Sequence, residues 1–346
     1  MKDFFKDLKD FDNHRIISYF HDSKTNLEGF VALHRGNDKI PAFGATRFVQ
    51  YADKNEALKD AIRLSKLMSY KSAIAGLKYG GAKAVIIGPK KSFNKNEIIK
   101  AYAHKVNYFH GQFITGADVG ISANEVKVMK KISPYFVGVT TDPVKFTALG
   151  INFALDVCLK NVFGSAELTN RSFAIQGVGK IGSALLKSIY GKAKNIYITD
   201  TDKTRLKEMA KNFPKVKITG VEEIFHQKVD ILSPCAMAHA INSKRISKIK
   251  AQIILGGANN QLTHPGTGEL LHKLGILYAP DYVVNGGGLI CVVSEYENSK
   301  IPDSEIYKKV VIIKSTMQTI IKQSQIKNKA TNLIADEMAQ KIFNKE

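Results

Sequence analysis

The chain has 346 residues, with 51 Lys and Arg against 31 Asp and Glu, for a formal charge of +20. At about 100–200 residues per domain this length suits two domains, and 44% hydrophobic with 24% charged residues excludes a disordered or fibrous chain. No apolar run approaches the roughly 18–20 residues of a membrane helix. The charge-alternating start MKDFFKDLKDFDNH lacks the apolar stretch of a secretory signal. Cys158, Cys235 and Cys291 are too far apart for a CxxC pair or a metal-ligand spacing. The expectation is a cytoplasmic protein with no metal site and no membrane partner. Basic residues occur in pairs (Lys90-Lys91, Lys130-Lys131, Lys308-Lys309) rather than tracts, so the charge reads as a solvated surface and no nucleic-acid partner is expected.

In chain order, RIISYF and LEGFVAL read as strands on either side of the turn-rich HDSKTN. Ala57, Leu58, Ala61, Ile62, Leu64, Ser65 and Met68 have helical spacing over 54–74, and AKAVIIG (82–88) reads as a strand. Asn94 with Glu97 and Ser122 with Glu125 have the form of capping boxes, the first opening a helix to about 109. FITGADVG (113–120) reads as a strand running into a loop. The second half is more regular: a helix over 147–163 ended by Gly164, strand 172–176, a glycine turn and helix to about 190, strand 195–200, helix 203–212, then short apolar strands at 229–234 and 252–257. Strands alternating with helices predict a doubly wound parallel sheet. From about 303 to the end the chain reads as helical and Lys-rich.

Gly177-Val178-Gly179-Lys180-Ile181-Gly182 has the form G-x-G-x-x-G between a strand and a helix, and the next strand ends in Asp200. In this context Gly177 allows a tight turn, Gly179 lets the backbone approach a pyrophosphate, and Gly182 permits close helix–strand packing. The free N–H groups of the helix start favour the phosphates. Asp200 would accept from ribose hydroxyls and repel a 2′-phosphate, which favours NAD over NADP; Lys203 and Arg205 weaken that preference. In the first half, Lys71 sits in MSYKSAIAGLK and Lys83 follows Gly80-Gly81 directly before the strand. A lysine desolvated among small residues has a lowered pKa and can act as a base or polarise water. Asp118, in GADVG, is its candidate partner.

GATR (44–47), SYK (69–71), GLKYGGAKAVIIG (76–88), ADVG (117–120), DPVKFTALG (142–150), IQGVGKIG (175–182), SPCA (233–236), GGANNQL (256–262) and YAPDYVVNGGGLI (278–290) occur in one order along the whole chain. In these the sequence resembles the glutamate/leucine/phenylalanine/valine dehydrogenases, and most closely the leucine and phenylalanine branch. The resemblance implies an α/β protein with an N-terminal mixed α/β substrate and oligomerisation domain, a C-terminal Rossmann dinucleotide-binding domain and a cleft between them. The implied limits are 1–142 for the first, with helices from about 305 to 346 packing back on it, and 143–304 for the second. A homo-oligomer is implied as well.

The resemblance also implies roles. Lys71 takes the substrate carboxylate, Lys83 is the catalytic lysine and Asp118 the acid/base. Phe43, Gly44, Gly116, Asn285, Leu289 and Val292 line the substrate. Thr147, Asn259 and Asn260 lie near the nicotinamide and its ribose, with Cys235 and Ala236 also in the cofactor set. The implied reaction is reversible NAD-dependent oxidative deamination of an apolar L-amino acid to the 2-oxo acid and ammonia. The apolar pocket argues against glutamate. Gly116 with Leu289 is similar to phenylalanine enzymes, while Phe43 takes volume back; leucine, valine or isoleucine is the reading, on family frequency rather than on the pocket, and phenylalanine the alternative. A non-catalytic dinucleotide sensor or nucleic-acid-associated protein is the remote rival, opposed by Lys71, Lys83 and Asp118 occurring together. The sequence departs from the family pattern at Val144-Lys145 (Ser-Pro is usual), at Ser294 (often an acid) and at Gly286 (often Ala).

Overall fold

The computed structural model describes residues 8–90, 92–236 and 238–343; the first seven residues and Lys91, both used above, lie outside the described residues. The chain forms two units. One holds the described residues through Asp142, Cys291–Pro302 and Ile342 with Phe343. The other holds Pro143–Ile290 and Asp303–Lys341.

The first unit contains β1 (Ile16–Asp22), β2 (Leu27–Leu33), β3 (Ala42–Phe43), β4 (Thr46–Val49), α1 (Lys54–Ile74), β5 (Gly80–Ile87), α2 (Lys95–Val106), β6 (Phe113–Ile114) and α3 (Ala123–Lys130). Its sheet runs β1-β2-β5-β3-β6, with β4 also on β5. β5 is antiparallel to β2 and parallel to β3 and β4. Strand side chains alternate between faces, and β5 shows what that sorts. Ala82, Ala84 and Ile86 enter the larger core with Ile98, Tyr102 and Met129 of α2 and α3. Val85 packs with Ala57 and Ala61 of α1. Lys83 shares the face of Val85 and so looks toward α1.

The second unit begins with α4 (Pro143–Phe163), followed by β7 (Ser172–Gln176), α5 (Lys180–Ile189), β8 (Asn195–Thr199), α6 (Lys203–Asn212) and β9 (Val216–Ile218). Then come β10 (Ile231–Pro234), α7 (Ser243–Ile246), β11 (Ile253–Ile254), α8 (Pro265–Lys273), β12 (Leu277–Tyr278), α9 (Asp281–Val284) and α10 (Gly287–Glu297), whose residues from Cys291 on belong to the first unit. α11 (Asp303–Val310), α12 (Ile312–Lys327) and α13 (Thr331–Phe343) end the chain. The sheet is β12-β11-β10-β7-β8-β9, parallel throughout. This is the dinucleotide-binding order, which reverses between β7 and β10.

Several expectations are corrected. The helices of 303–341 belong to the second unit, not the first; α11 and α12 pack on α4, whose apolar surface they cover. α4 starts at Pro143 rather than 147, since proline suits a first helical position. With 21 residues it is long and apolar enough to cross a membrane by length and composition, although half of that stretch is buried. It therefore reads as a packed helix, but a run of that length is present. Asn94 caps α2 through the N–H of Asn96, not by a box with Glu97, whereas Ser122 and Glu125 do form a capping box. β3, β4, β9 and β12, each of two to four residues, were not read as strands; pieces this short carry no period of their own.

Candidate active site

In the first unit the sequence places a lysine in the middle of a buried strand, and the local glycines explain how. A Cβ on Gly81 would lie 2.0 Å from the Ser69 nitrogen, so only glycine lets β5 meet α1 this closely. The Ser69 hydroxyl accepts from Gly81 N at 2.9 Å. Lys71 stands two residues beyond Ser69, in the last turn of α1 and half-buried. Lys83 stands two residues beyond Gly81. The two lysine-bearing segments are thus pinned to each other by one contact.

Lys83 is only 5% exposed. Its Nζ donates to Asp118 Oδ2 at 2.5 Å, and Arg47 Nε donates to the same oxygen at 3.0 Å. Arg47 also donates to Asp60 Oδ2 of α1 at 2.9 Å, an oxygen that accepts from the Tyr51 hydroxyl at 2.8 Å. Asp118 reaches this place because Ala117 bridges to Thr46, extending β6 alongside β4. Burial pushes the Lys83 pKa down; Asp118 opposes this and Arg47 adds to it. Burial alone would raise the Asp118 carboxyl, but Lys83 and Arg47 outweigh it and hold the group at about 2. The site is a buried cation–carboxylate pair with a second cation beside it. A charged lysine so desolvated gives up its proton more readily than an exposed one.

The other substrate candidates divide between the units. Phe43, Gly44, Gly116 and Val292 belong to the first, Asn285 and Leu289 to the second. Phe43 is 1% exposed, packed by Tyr79 with ring centres 4.7 Å apart and edge-on by Tyr296 at 5.2 Å. A Cβ on Gly44 would lie 2.1 Å from Ala82 O, and one on Gly116 would lie 3.0 Å from Val137 O. Gly44 therefore has a backbone reason, whereas at Gly116 a Cβ would only press on one carbonyl oxygen. Val292 is half-buried and Leu289 buried.

In the second unit the cofactor candidates gather at the carboxyl ends of the parallel strands. Gly177 has φ +90°, and a Cβ there would meet Ala236 Cβ at 2.5 Å, across the point where the strand order reverses. Cys235 N donates to Gln176 O at 2.7 Å, and burial pushes the Cys235 thiol up to about 11, so it packs and does not attack. A Cβ on Gly182 would lie 1.9 Å from Gly177 O, while one on Gly179 would meet nothing within 4 Å. The first glycine is needed for packing and the second opens the turn. Gly179 caps α5 with no side-chain hydrogen bond, leaving the N–H groups of the first turn, at Lys180, Ile181 and Gly182, for an anion. Asp200 Oδ2 accepts from Val178 N at 2.9 Å, which sets its carboxylate beside the turn.

Gln176 Oε1, Thr199 Oγ1 and Ser233 Oγ, at the ends of β7, β8 and β10, are buried without hydrogen-bond partners. The Asn285 side chain donates to Asn259 Oδ1 at 2.8 Å, and its own Oδ1 is likewise unpartnered. Thr147 Oγ1 donates to Pro143 O at 2.7 Å. Asn260 adopts φ +53°. An open glycine turn, an uncapped helix start and polar atoms left over at the strand ends fit a dinucleotide.

Sequence reasoning missed Arg47, although it closes the GATR motif; it reaches the site only through the parallel pairing of β4 with β5, which no local pattern announces. It also missed the braces. Gln261 N donates to Asp281 Oδ2 at 2.7 Å and Gln261 Nε2 to Gly256 O at 2.7 Å, ordering the Asn259–Asn260 loop. Glu295, next to Ser294 in α10, has no assigned role in the sequence reading. Its carboxylate accepts from the backbone N–H groups of Gly138, Val139, Thr140 and Thr141 and from the Thr141 hydroxyl, at 2.7–3.2 Å. Burial raises its pKa, but these donors outweigh it and the net shift is downward.

A parallel sheet of this order with this turn, joined to a unit holding a buried lysine–carboxylate pair, defines a dinucleotide-dependent oxidoreductase. Residues 17–135 match the model of the Glu/Leu/Phe/Val dehydrogenase dimerisation domain, and 192–343 match the Glutamate/Leucine/Phenylalanine/Valine dehydrogenase model. Leucine dehydrogenase of Bacillus subtilis is 31% identical over 97% of this chain and 93% of its own. Phenylalanine dehydrogenase of Caldalkalibacillus thermarum is 33% identical over 96% and 92%. The crystal structure of L-tryptophan dehydrogenase from Nostoc punctiforme superposes with a TM-score of 0.81 at 32% identity, covering 100% of this chain and 99% of that one. The chain belongs to the Glu/Leu/Phe/Val dehydrogenase family, and is an amino acid dehydrogenase acting on a CH–NH2 group with NAD or NADP.

Proposed function

We propose that the protein is an NAD-dependent L-amino acid dehydrogenase for leucine, valine and isoleucine, releasing the 2-oxo acid and ammonia reversibly. The observation that carries the reading is the buried Lys83–Asp118 pair with Arg47 beside it. Bound NAD supplies the hydride acceptor; Gly177 to Gly182, Asp200, Cys235, Ala236, Thr147, Asn259 and Asn260 would hold it. Lys71 pairs with the substrate α-carboxylate and fixes the direction of Cα. Lys83, its ammonium destabilised by burial, takes a proton from water as that water adds to the iminium carbon. Asp118 passes protons between Lys83 and the departing amine. Arg47 keeps Asp118 ionised between these transfers.

Two observations support an aliphatic substrate and NAD. Phe43 is packed by the rings of Tyr79 and Tyr296, bulk that disfavours a large aromatic side chain beside it. Asp200 stands beside the turn where it would repel a 2′-phosphate. Relatives that act on leucine, phenylalanine and tryptophan match this chain comparably, and an apolar pocket separates methylenes by only about 1–3 kcal/mol, so activities on neighbouring apolar amino acids will overlap. The matched dimerisation domain supports a homo-oligomer built through the first unit. The spacing of the cysteines supports the cytoplasm. The test is NADH formation with each of the twenty amino acids at alkaline pH, for wild type and Lys83→Ala. The expected order is branched aliphatic above aromatic, with Lys83→Ala slower by about 10²–10⁴-fold. Best turnover of glutamate, or near wild-type turnover by Lys83→Ala, would overturn the proposal.

A further inference from the structure

The Arg47 guanidinium is stretched between two carboxylates. Its Nε donates to Asp118 Oδ2 at 3.0 Å and its NH1 to Asp60 Oδ2 at 2.9 Å. A planar fork held on two sides cannot turn without giving up one partner. Asp60 is fixed in its turn. It lies on α1 with 14% of its side chain exposed. Its Oδ2 also accepts from the Tyr51 hydroxyl at 2.8 Å, and its Oδ1 accepts from Arg63 NH2 at 2.6 Å. Burial would raise the Asp60 carboxyl, but Arg47, Tyr51 and Arg63 outweigh it and the net shift is downward, so the group is ionised. Burial and Asp60 push the Tyr51 hydroxyl up, so it stays a neutral donor.

Without Asp60, a single Asp118 oxygen would face both Lys83 and Arg47. Asp60 supplies a second anion for these two cations. In a desolvated cluster a charge that loses its partner is costly, and its field falls on the nearest titratable neighbour. The elements packed on Lys83 bring different charges. β4 brings Arg47, the segment after β6 brings Asp118, and α1 brings Asp60 with Arg63 behind it. On the β2 side the residue paired with Lys83 is Ala32, which has no charge. Burial lowers the Lys83 pKa and Arg47 adds to this, while Asp118 and Asp60 oppose it. We infer that Asp60 is a positioning residue for Lys83: it holds Arg47 in place, offsets its charge, and so decides at what pH the lysine is free to act as a base. This rests on the proposed role of Lys83 and deepens it.

The test is kcat/KM against pH for NADH formation at saturating NAD with the best amino acid. The substrate's own amine titrates alike in every variant, so a displacement between variants belongs to the protein. Asp60→Asn removes an anion and should move the limb assigned to Lys83 to lower pH by at least about half a unit. Arg47→Gln removes a cation and should move it to higher pH. The double variant removes the pair and should fall between the two. Asp60→Glu keeps the charge and should bring the limb back towards its wild-type position. Tyr51→Phe changes no charge and should move it less than Asp60→Asn does. The plateau of Asp60→Asn should fall by less than the drop of about 10²–10⁴-fold expected when a proton-relaying group is lost. A brace with a purely structural role would lower the plateau and leave the limb in place. A smaller displacement in Asp60→Asn, or one to higher pH, overturns the inference. If Asp60→Asn does not fold, the comparison passes to the Arg47→Gln background, where adding Asp60→Asn must lower the limb; no displacement there overturns the inference equally. If Asp118→Asn displaces the limb and Asp60→Asn does not, the reading of Lys83 stands and the role of Asp60 falls. A wild-type protein that forms no NADH with any amino acid overturns both.

Discussion

Replacing Asp118 by Asn removes one charge from the buried cluster and leaves its shape nearly unchanged. Lys83 then loses the partner that favours its ammonium, while Arg47 continues to oppose it. Taking charge centres about 4 Å apart and an effective dielectric of about 20, the lost attraction is at most about 4 kcal/mol. That corresponds to about three pH units on the lysine, and a shift of at least about one is expected once water and Arg47 adjust. In kcat/KM against pH, the limb on which activity rises as Lys83 loses its proton should move to lower pH by that amount. Its plateau should fall by about 10²–10⁴-fold, because Asp118 no longer relays protons. The assay is NADH formation at saturating NAD from pH 6 to 11 with the best amino acid. A limb that stays in place, or moves to higher pH, would refute the assignment of that titration to a paired Lys83. Stability gives a second readout. The Asp118 pKa is lowered from 3.8 to about 2, so ionised Asp118 contributes about 2 kcal/mol above pH 4. That contribution is lost as pH falls from 4 towards 2, so the stability gap between wild type and Asp118→Asn should close over that window.

Glu295→Ala should cost about 2–4 kcal/mol by leaving four backbone N–H groups and a hydroxyl without their acceptor, read as a lowered Tm, with Glu295→Gln recovering part. The Glu295 pKa is lowered on folding, so its contribution is full above the ordinary glutamate value and fades as pH falls through the folded value; an Ala variant equally deficient at acid and neutral pH would contradict this. Gly182→Ala puts a Cβ where Gly177 O already stands, 1.9 Å away. It should shift α5 from the turn and weaken NADH binding at least about tenfold, measured by fluorescence titration; wild-type affinity would show that the turn is not the binding element.

The second unit was legible because its elements follow local rules. β7 and α6 are found at the expected residues, since an apolar strand and a capped helix are each specified within a few residues. The short pairings of β3, β4, β9 and β12 were hidden because their register comes from β5, β8 and β11, not from their own pattern. At the site, Lys83 and Asp118 could be named from motifs, but their contact depends on Ala117 bridging to Thr46, a long-range event. Arg47 went unassigned for the same reason: it faces Lys83 only because β4 lies parallel to β5 with Arg47 opposite Val85. Val137, whose carbonyl faces Gly116, is placed by the neighbouring bridge between Thr115 and Phe136, another long-range pairing that no local pattern shows. The fate of the tail was misjudged because a Lys-rich amphipathic helix shows which of its sides is apolar but not which partner receives it.

The grip of Glu295 on Gly138 to Thr141 means that the first unit is not a contiguous stretch of chain. A fragment cut after Asp142 would retain all six strands of its sheet, yet it would end in four consecutive amides whose acceptor had been left behind on a peptide more than 150 residues away. Grafting the 291–302 segment back on would restore that acceptor to an isolated amino-terminal half, and ribosomal synthesis must run well past the nucleotide-binding half before the amino-terminal half can be completed.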